Sequence, residues 1–163
     1  MLQKRKQCIK SPFAKNKTVT IYRSRWIWLQ LEKTELFKVS DKRGWLTEIL
    51  NDKEGKIIRN IHYSYSKPGA IRGNHYHKHK IEWLCVTFGT GRIVLEDNVT
   101  KERKEFEMNG DSPVLVKIPS NVAHAIENCD PNIQMHLLVI MNEEFSSTDS
   151  DTYSRQVIFP KSQ

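Results

Sequence analysis

Apolar and polar residues alternate along this chain in short runs, each bounded by residues that favour turns. The stretches TVTIYRSRWIWLQL, IIRNIHYSYS, IEWLCVTF, RIVLED, KEFEM, VLVKIP, AHAIEN and QMHLLVIM are rich in Val, Ile, Tyr, Phe and Trp, residues that suit a pleated, half-buried surface. Between them lie Asp41 to Gly44, Asn51 to Gly55, Lys67 to Gly69, Gly89 to Gly91, Asn109 to Ser112 and Asp130 to Asn132, clusters of turn-forming residues. No segment sustains a helical apolar period, although KTELFKV and NEEFSSTDSD each have room for one turn of helix. The pattern predicts an all-β chain, an antiparallel sandwich or barrel with a jelly roll as the favoured form.

A chain of 163 residues suits one core rather than two. We expect one domain over residues 18–158, a basic tail at 1–17 and a short tail at 159–163. The longest apolar runs fall well short of the roughly 20 residues a bilayer requires, and no apolar signal segment follows the basic N-terminus. The expectation is a cytoplasmic protein with no membrane partner. Cys8, Cys85 and Cys129 are odd in number and lack CxxC spacing, so they read as free thiols.

Net charge adds little to this picture. The total is +7, but Lys4, Arg5, Lys6, Lys10, Lys15, Lys17, Arg23 and Arg25 contribute +8 with no acid before Glu32, which leaves the remainder near −1. The basic character belongs to the tail, so nucleic acid is not the expected partner. The segment TVTIYRSRWIWLQL has Val19, Ile21, Ile27 and Leu29 on one face and Tyr22, Trp26 and Trp28 on the other. A strand apolar on both faces needs cover on both, and we expect a homodimer to supply it. Trp45 and Trp83 read likewise as core or dimer contacts, and His62 and His136 as satisfied core histidines.

The chemistry concentrates in GAIRGNHYHKHKIEWLCVTFG. His75 and His77 stand at i and i+2 and share one face of a strand. Glu82 has the opposite parity and joins them only if the chain turns through Lys78 to Lys80. Beyond that turn Glu82, Leu84, Val86 and Phe88 share a face, a polar group heading an apolar stripe. In IPSNVAHAIEN, His124, Ile126 and Asn128 share a face after a bend at Pro119 and Asn121. Three imidazoles and a carboxylate make a site for zinc, iron(II), manganese or nickel, and zinc is the expected divalent metal.

The first stretch resembles the first cupin motif, G-x5-H-x-H-x4-E-x6-G, at every position from Gly69 to Gly89. The second cupin motif is similar at Pro119, His124 and Asn128; Asn121 stands where that motif has glycine, and Gly110 lies further upstream than its pattern sets. Within cupins, DKRGWLTEIL and IRGNHYH resemble signatures of the dTDP-4-dehydrorhamnose 3,5-epimerase family. PGAIRGNHYH, IPSNVAHAIEN and NEEFSSTDSDTY resemble the C-terminal cupin domain of CapF-type capsular polysaccharide enzymes. The resemblance spans roughly residues 34–158 and implies an RmlC-like barrel.

It also implies an isomerase that epimerises a nucleotide-linked 4-keto-6-deoxy sugar at carbon 3, or at carbons 3 and 5, in surface polysaccharide biosynthesis. Alternatives are a 3,4-ketoisomerase of the same substrate class and a non-catalytic metal- or sugar-binding cupin. Such an epimerase needs a base, an electrophile for the enolate oxygen and an acid. The position matching His75 is the base in metal-free relatives, and a histidine that donates its lone pair to a metal cannot also take a proton. Either His75 is the base, or it is a ligand and His79, Lys80, Tyr63 or Tyr65 moves protons. Arg72 is the candidate for holding a diphosphate or enolate oxygen of the nucleotide-diphosphate sugar. Lys67 and Arg92 are weaker candidates, and Arg43 and Glu48 read as an ion pair within the sheet.

Overall fold

The computed structural model describes residues 19–21, 32–36, 38–42, 44–47, 49, 58–148 and 150–160. The basic tail at 1–17, Cys8, Trp26, Trp28, Arg43, Glu48, the turn at 51–55 and the side chain of Trp45 lie outside that set. Among the described residues there are thirteen strands and no helix. They are β1 (Val19–Ile21), β2 (Glu32–Glu35), β3 (Lys38–Asp41), β4 (Gly44–Thr47), β5 (Asn60–Ser66), β6 (Ile71–Tyr76) and β7 (Glu82–Phe88), followed by β8 (Thr90–Asp97), β9 (Arg103–Asn109), β10 (Val114–Ile118), β11 (Val122–Asn128), β12 (Met135–Met141) and β13 (Tyr153–Ser154). KTELFKV, expected to have room for a helical turn, forms β2 and β3 instead, and the described part of NEEFSSTDSD bends without a helical turn. No helix among the described residues is long and apolar enough to cross a membrane.

Six strands in the order β1-β2-β10-β7-β12-β5 form one sheet, and five in the order β13-β6-β11-β8-β9 form the other; β3 and β4 make a separate hairpin. All pairings are antiparallel, and from β5 to β12 the chain passes repeatedly from sheet to sheet. That is the expected jelly roll. Leu84, Val86, Val116, Met135, Leu137 and Val139 of the first sheet meet Ile93, Leu95, Met108 and Ile126 of the second in one core. Each such side chain taken out of water contributes about 1.5–3 kcal/mol.

Strand β11 is buried along its whole length. Its inward residues reach the core, while Ala123 and Ala125 on the other face are covered by Val157 and Ile158. Small alanines let this C-terminal segment lie close against the sheet. Strand β5 is an edge strand with inverted polarity. Its Ser64, His62 and Ser66 pair with the core residues Leu137, Val139 and Met135, so these polar side chains take the inward side. Ile61, Tyr63 and Tyr65 stand exposed on the outer side. Along this inward side Ser66 is buried and His62 exposed.

Candidate functional site

A bulge with two positive-φ residues aims His75 of β6 inward. His75 pairs with His124, Gly73 with Ala125 and Arg72 with Ile126, so Asn74 is one extra residue on its strand. Such a bulge turns the side chains that precede it to the other face. Gly73 has φ 90° and Asn74 φ 56°, conformations open to glycine and tolerated by asparagine. The Asn74 side chain points the other way: its Oδ1 accepts from the amides of Val157 and Ile158, at 2.9 and 3.0 Å, and its Nδ2 donates to the Ile158 carbonyl at 3.0 Å. After His77 the chain reverses through Lys78 to Lys80, as the parity argument requires, and sets Glu82 at the head of β7. Asn121 takes φ 62°, the left-handed conformation expected where the motif has glycine, and β11 then presents His124.

His75, His77, Glu82 and His124 come together, with one ligand atom of each inside a 4.8 Å span. His77 Nε2 lies 3.1 Å and His124 Nε2 3.3 Å from the same Glu82 Oε2. Ligands at about 2.1 Å from a tetrahedral ion sit roughly 3.4 Å apart, so these spacings suit a shared ion. Nδ1 of His77 faces the Asp151 carbonyl at 2.6 Å and Nδ1 of His124 that of Val122 at 3.2 Å. Each Nδ1 donates to its carbonyl and turns Nε2 into the cluster, where loss of its proton would free a lone pair for a metal. His75 is likewise hydrogen-bonded to the backbone of Gly73. The Nε2 of His124 is buried without a hydrogen bond: it is near enough to Glu82 for an ion pair but misaligned for donation. An unpartnered buried imidazole nitrogen facing two imidazoles and a carboxylate fits a divalent transition metal.

The electrostatics agree with the geometry. Burial, with the neighbouring His124 charge, lowers His75 to about 4, so it is neutral at physiological pH. Burial works against ionisation of Glu82 too, but the electrostatic influence of the adjacent His124 and the hydrogen bond with His77 hold it below the ordinary carboxylate range. For His77 burial is likewise opposed, and the Glu82 hydrogen bond and the Asp151 carbonyl prevail to raise it. Cys85 is buried and its thiol is pushed up to about 11 by that burial, so it supplies no thiolate; Cys129 is exposed, and both are free.

Other sequence-derived candidates fall in different places. Arg72 shares the inward side with His75 and reaches the end of β5, its Nε donating to Ser66 Oγ and its Nη2 to the Tyr65 carbonyl, both at 2.8 Å. Lys67 and Arg72 line a cavity of about 430 Å³ there. Tyr63 and Tyr65 do not meet the cluster, because the pleat of β5 sends them to the outer face beside His136. Lys80 is buried and donates its ammonium to the Ser150 carbonyl at 2.7 Å. With His79 it lines a larger cavity of about 740 Å³, to which none of the four cluster residues contributes. Arg92 is no solvated loop cation but pairs with Glu127 and Glu105, each at 2.7 Å. His62 is exposed rather than in the core, its Nδ1 3.2 Å from Asn60 Oδ1.

Residues 39–153 match the family described as the polysaccharide biosynthesis C-terminal domain. The spore coat polysaccharide biosynthesis protein SpsL of Bacillus subtilis (strain 168) is 36% identical over 97 residues, which cover 55% of this chain and 64% of that protein. The capsular polysaccharide assembling protein CapF from Staphylococcus aureus superposes with a TM-score of 0.58 at 33% identity, over 75% of this chain and 33% of that one. The chain thus spans just under two thirds of SpsL and about a third of CapF. The dTDP-4-dehydrorhamnose 3,5-epimerase from Bacillus anthracis str. Ames superposes with a TM-score of 0.66 at 20% identity, covering 80% of this chain and 81% of that one, a likeness of fold. With a match across more than half its length and a jelly roll shared with the epimerase, the chain belongs to the polysaccharide biosynthesis C-terminal domain family, built on the RmlC-like cupin fold.

Proposed function

We propose that this protein epimerises a nucleotide-linked 4-keto-6-deoxy sugar at carbon 3, or at carbons 3 and 5, in surface polysaccharide biosynthesis. The observation that carries the reading is the cluster of His75, His77, Glu82 and His124 on the same inward side as Arg72, which lines a cavity with Ser66 and Lys67. The family match and the polysaccharide-related names of SpsL and CapF support it.

Zinc suits the donor set best, and when bound it would supply Lewis-acid polarisation of the keto oxygen. His75, neutral with a value near 4, suits a ligand better than a base, since an efficient base titrates near the working pH. Proton transfer then falls to another group. His62 lies on the inward side of β5, outside the cluster, and we assign it the proton at the carbon beside the ketone. Arg72 presents a planar donor fork to a diphosphate oxygen, with Lys67 adding charge to the same cavity. We read the functional unit as a homodimer, a reading supported by β1 standing at the open edge of the six-stranded sheet.

The test is incubation with a 4-keto-6-deoxy nucleotide sugar in heavy water, followed by proton NMR. Deuterium at carbon 3 alone, or at carbons 3 and 5, supports the epimerase and fixes its scope. A migrated keto group replaces it with a 3,4-ketoisomerase. Absence of exchange with every nucleotide sugar tried leaves a non-catalytic binding cupin and sinks the proposal.

A further inference from the structure

Asp151 reaches the cluster from the C-terminal segment with its backbone, and the turn before Glu82 with its side chain. Its carbonyl faces His77 Nδ1 at 2.6 Å. Its carboxylate accepts from three successive amides, Lys78 at 2.9 Å through Oδ1 and His79 and Lys80 at 3.0 Å through Oδ2. Those three residues form the turn that brings Glu82 back opposite His77. The residue is buried and held at φ 44°, a conformation that a non-glycine residue keeps only where its surroundings fix it. Next to it, the Ser150 carbonyl takes the Lys80 ammonium at 2.7 Å. Both ring nitrogens of His77 are thereby committed, Nδ1 to Asp151 and Nε2 to the Glu82 side of the cluster.

We propose that Asp151 is the positioning residue of this cluster, a clasp that fixes both the tautomer of His77 and the turn between two ligands, so that a divalent transition metal finds its site already formed. The inference rests on the metal reading above. A carboxylate that only caps a loop would support the fold equally well, but it would leave metal affinity unchanged in any variant that still folds. Groups that orient a ligating imidazole from behind are worth about 10–100-fold in metal affinity.

The test uses the full chain with Asp151→Gly, Asp151→Ala and Asp151→Asn. Glycine adopts φ 44° freely and keeps the carbonyl, so Asp151→Gly removes the carboxylate without adding strain and stands in if Asp151→Ala does not fold. Zinc affinity is measured by chelator competition, and the His77 tautomer by nitrogen NMR on metal-stripped protein. The clasp predicts zinc binding weaker by about 10–100-fold in the Gly and Ala variants, a mixture of His77 tautomers in both, and an intermediate loss for Asn, which keeps one acceptor oxygen. Zinc affinity within about twofold of the parent in a folded Asp151→Gly protein, far short of that range, overturns it. If the parent protein takes up no zinc, the metal reading fails on its own. The clasp is then decided by the tautomer: a mixture in Asp151→Gly upholds it, and an unchanged ring refutes it.

Discussion

Arg72 and His75 project to the same inward side of β6 although they stand three positions apart, because Asn74 is inserted as a bulge between them. On a regular strand, residues three apart face opposite sides, and the arginine would have pointed away from the histidine cluster. The bulge is stabilised from the other face, where the Asn74 side chain holds the backbone of Val157 and Ile158. A structural element remote from the chemistry thus places the two side chains that the proposed reaction needs together.

Gly73→Ala tests this placement directly. A Cβ at Gly73 would stand 2.7 Å from the His124 carbonyl oxygen and 2.9 Å from the Ala125 Cα, both backbone atoms of β11, so β6 and β11 must separate. Alanine is also strained at φ 90°. The expected loss is on the order of 1–3 kcal/mol in urea unfolding, with a matching fall in zinc uptake. A variant as stable as the parent, with full zinc uptake, would show that the bulge does not govern the site.

Replacing Asn74 by alanine acts on the other side of the same bulge. The amides of Val157 and Ile158 lose their acceptor, and each buried donor left without a partner costs about 1–3 kcal/mol. The C-terminal segment should then become the first site of proteolytic cleavage while the strands of the core persist. Cleavage first elsewhere would place the weak point outside this contact.

Acid should act on the metal-free protein through His75. Its value near 4 lies below the ordinary 6.5, so between those pH values the unfolded chain binds more protons than the folded one. The stability associated with His75 is therefore complete above about pH 6.5 and is lost as pH falls towards 4. His77 is shifted upward, and its contribution has the opposite sign, present at low pH and lost as pH rises through its folded value. Imidazole NMR of metal-stripped protein should show His75 titrating near 4. A midpoint at 6.5 would mean that the burial and the His124 charge do not act on it.

The cluster of His75, His77, Glu82 and His124 was legible because its geometry is local. The i, i+2 parity of His75 and His77, the turn before Glu82 and the tolerance of Asn121 for a positive φ all follow from neighbouring residues. What the sequence hid depends on distant partners. Tyr63 and Tyr65 of strand β5 read as candidates for moving protons, yet the register with β12 turns His62, Ser64 and Ser66, not the tyrosines, to the inward side. Lys80 read as another such candidate, whereas the Ser150 carbonyl takes its ammonium and the Asp151 carboxylate its amide. The bulge at Asn74 has no marker in the sequence apart from the glycine that precedes it.

His62 and Arg72 should separate kinetically if the first moves a proton and the second holds the nucleotide sugar. His62→Gln keeps a polar side chain on the inward face of β5 but removes the titrating group, and general acid–base catalysis is worth about 10²–10⁴-fold. Deuterium exchange at the carbon beside the ketone should fall by that order with zinc content unchanged. Arg72→Lys keeps the charge but loses the planar fork that now spans Ser66 Oγ and the Tyr65 carbonyl, so it should raise KM more than it lowers kcat. Exchange at the parental rate in His62→Gln would return the proton to His75, and that enzyme would have to release His75 from its metal to turn over.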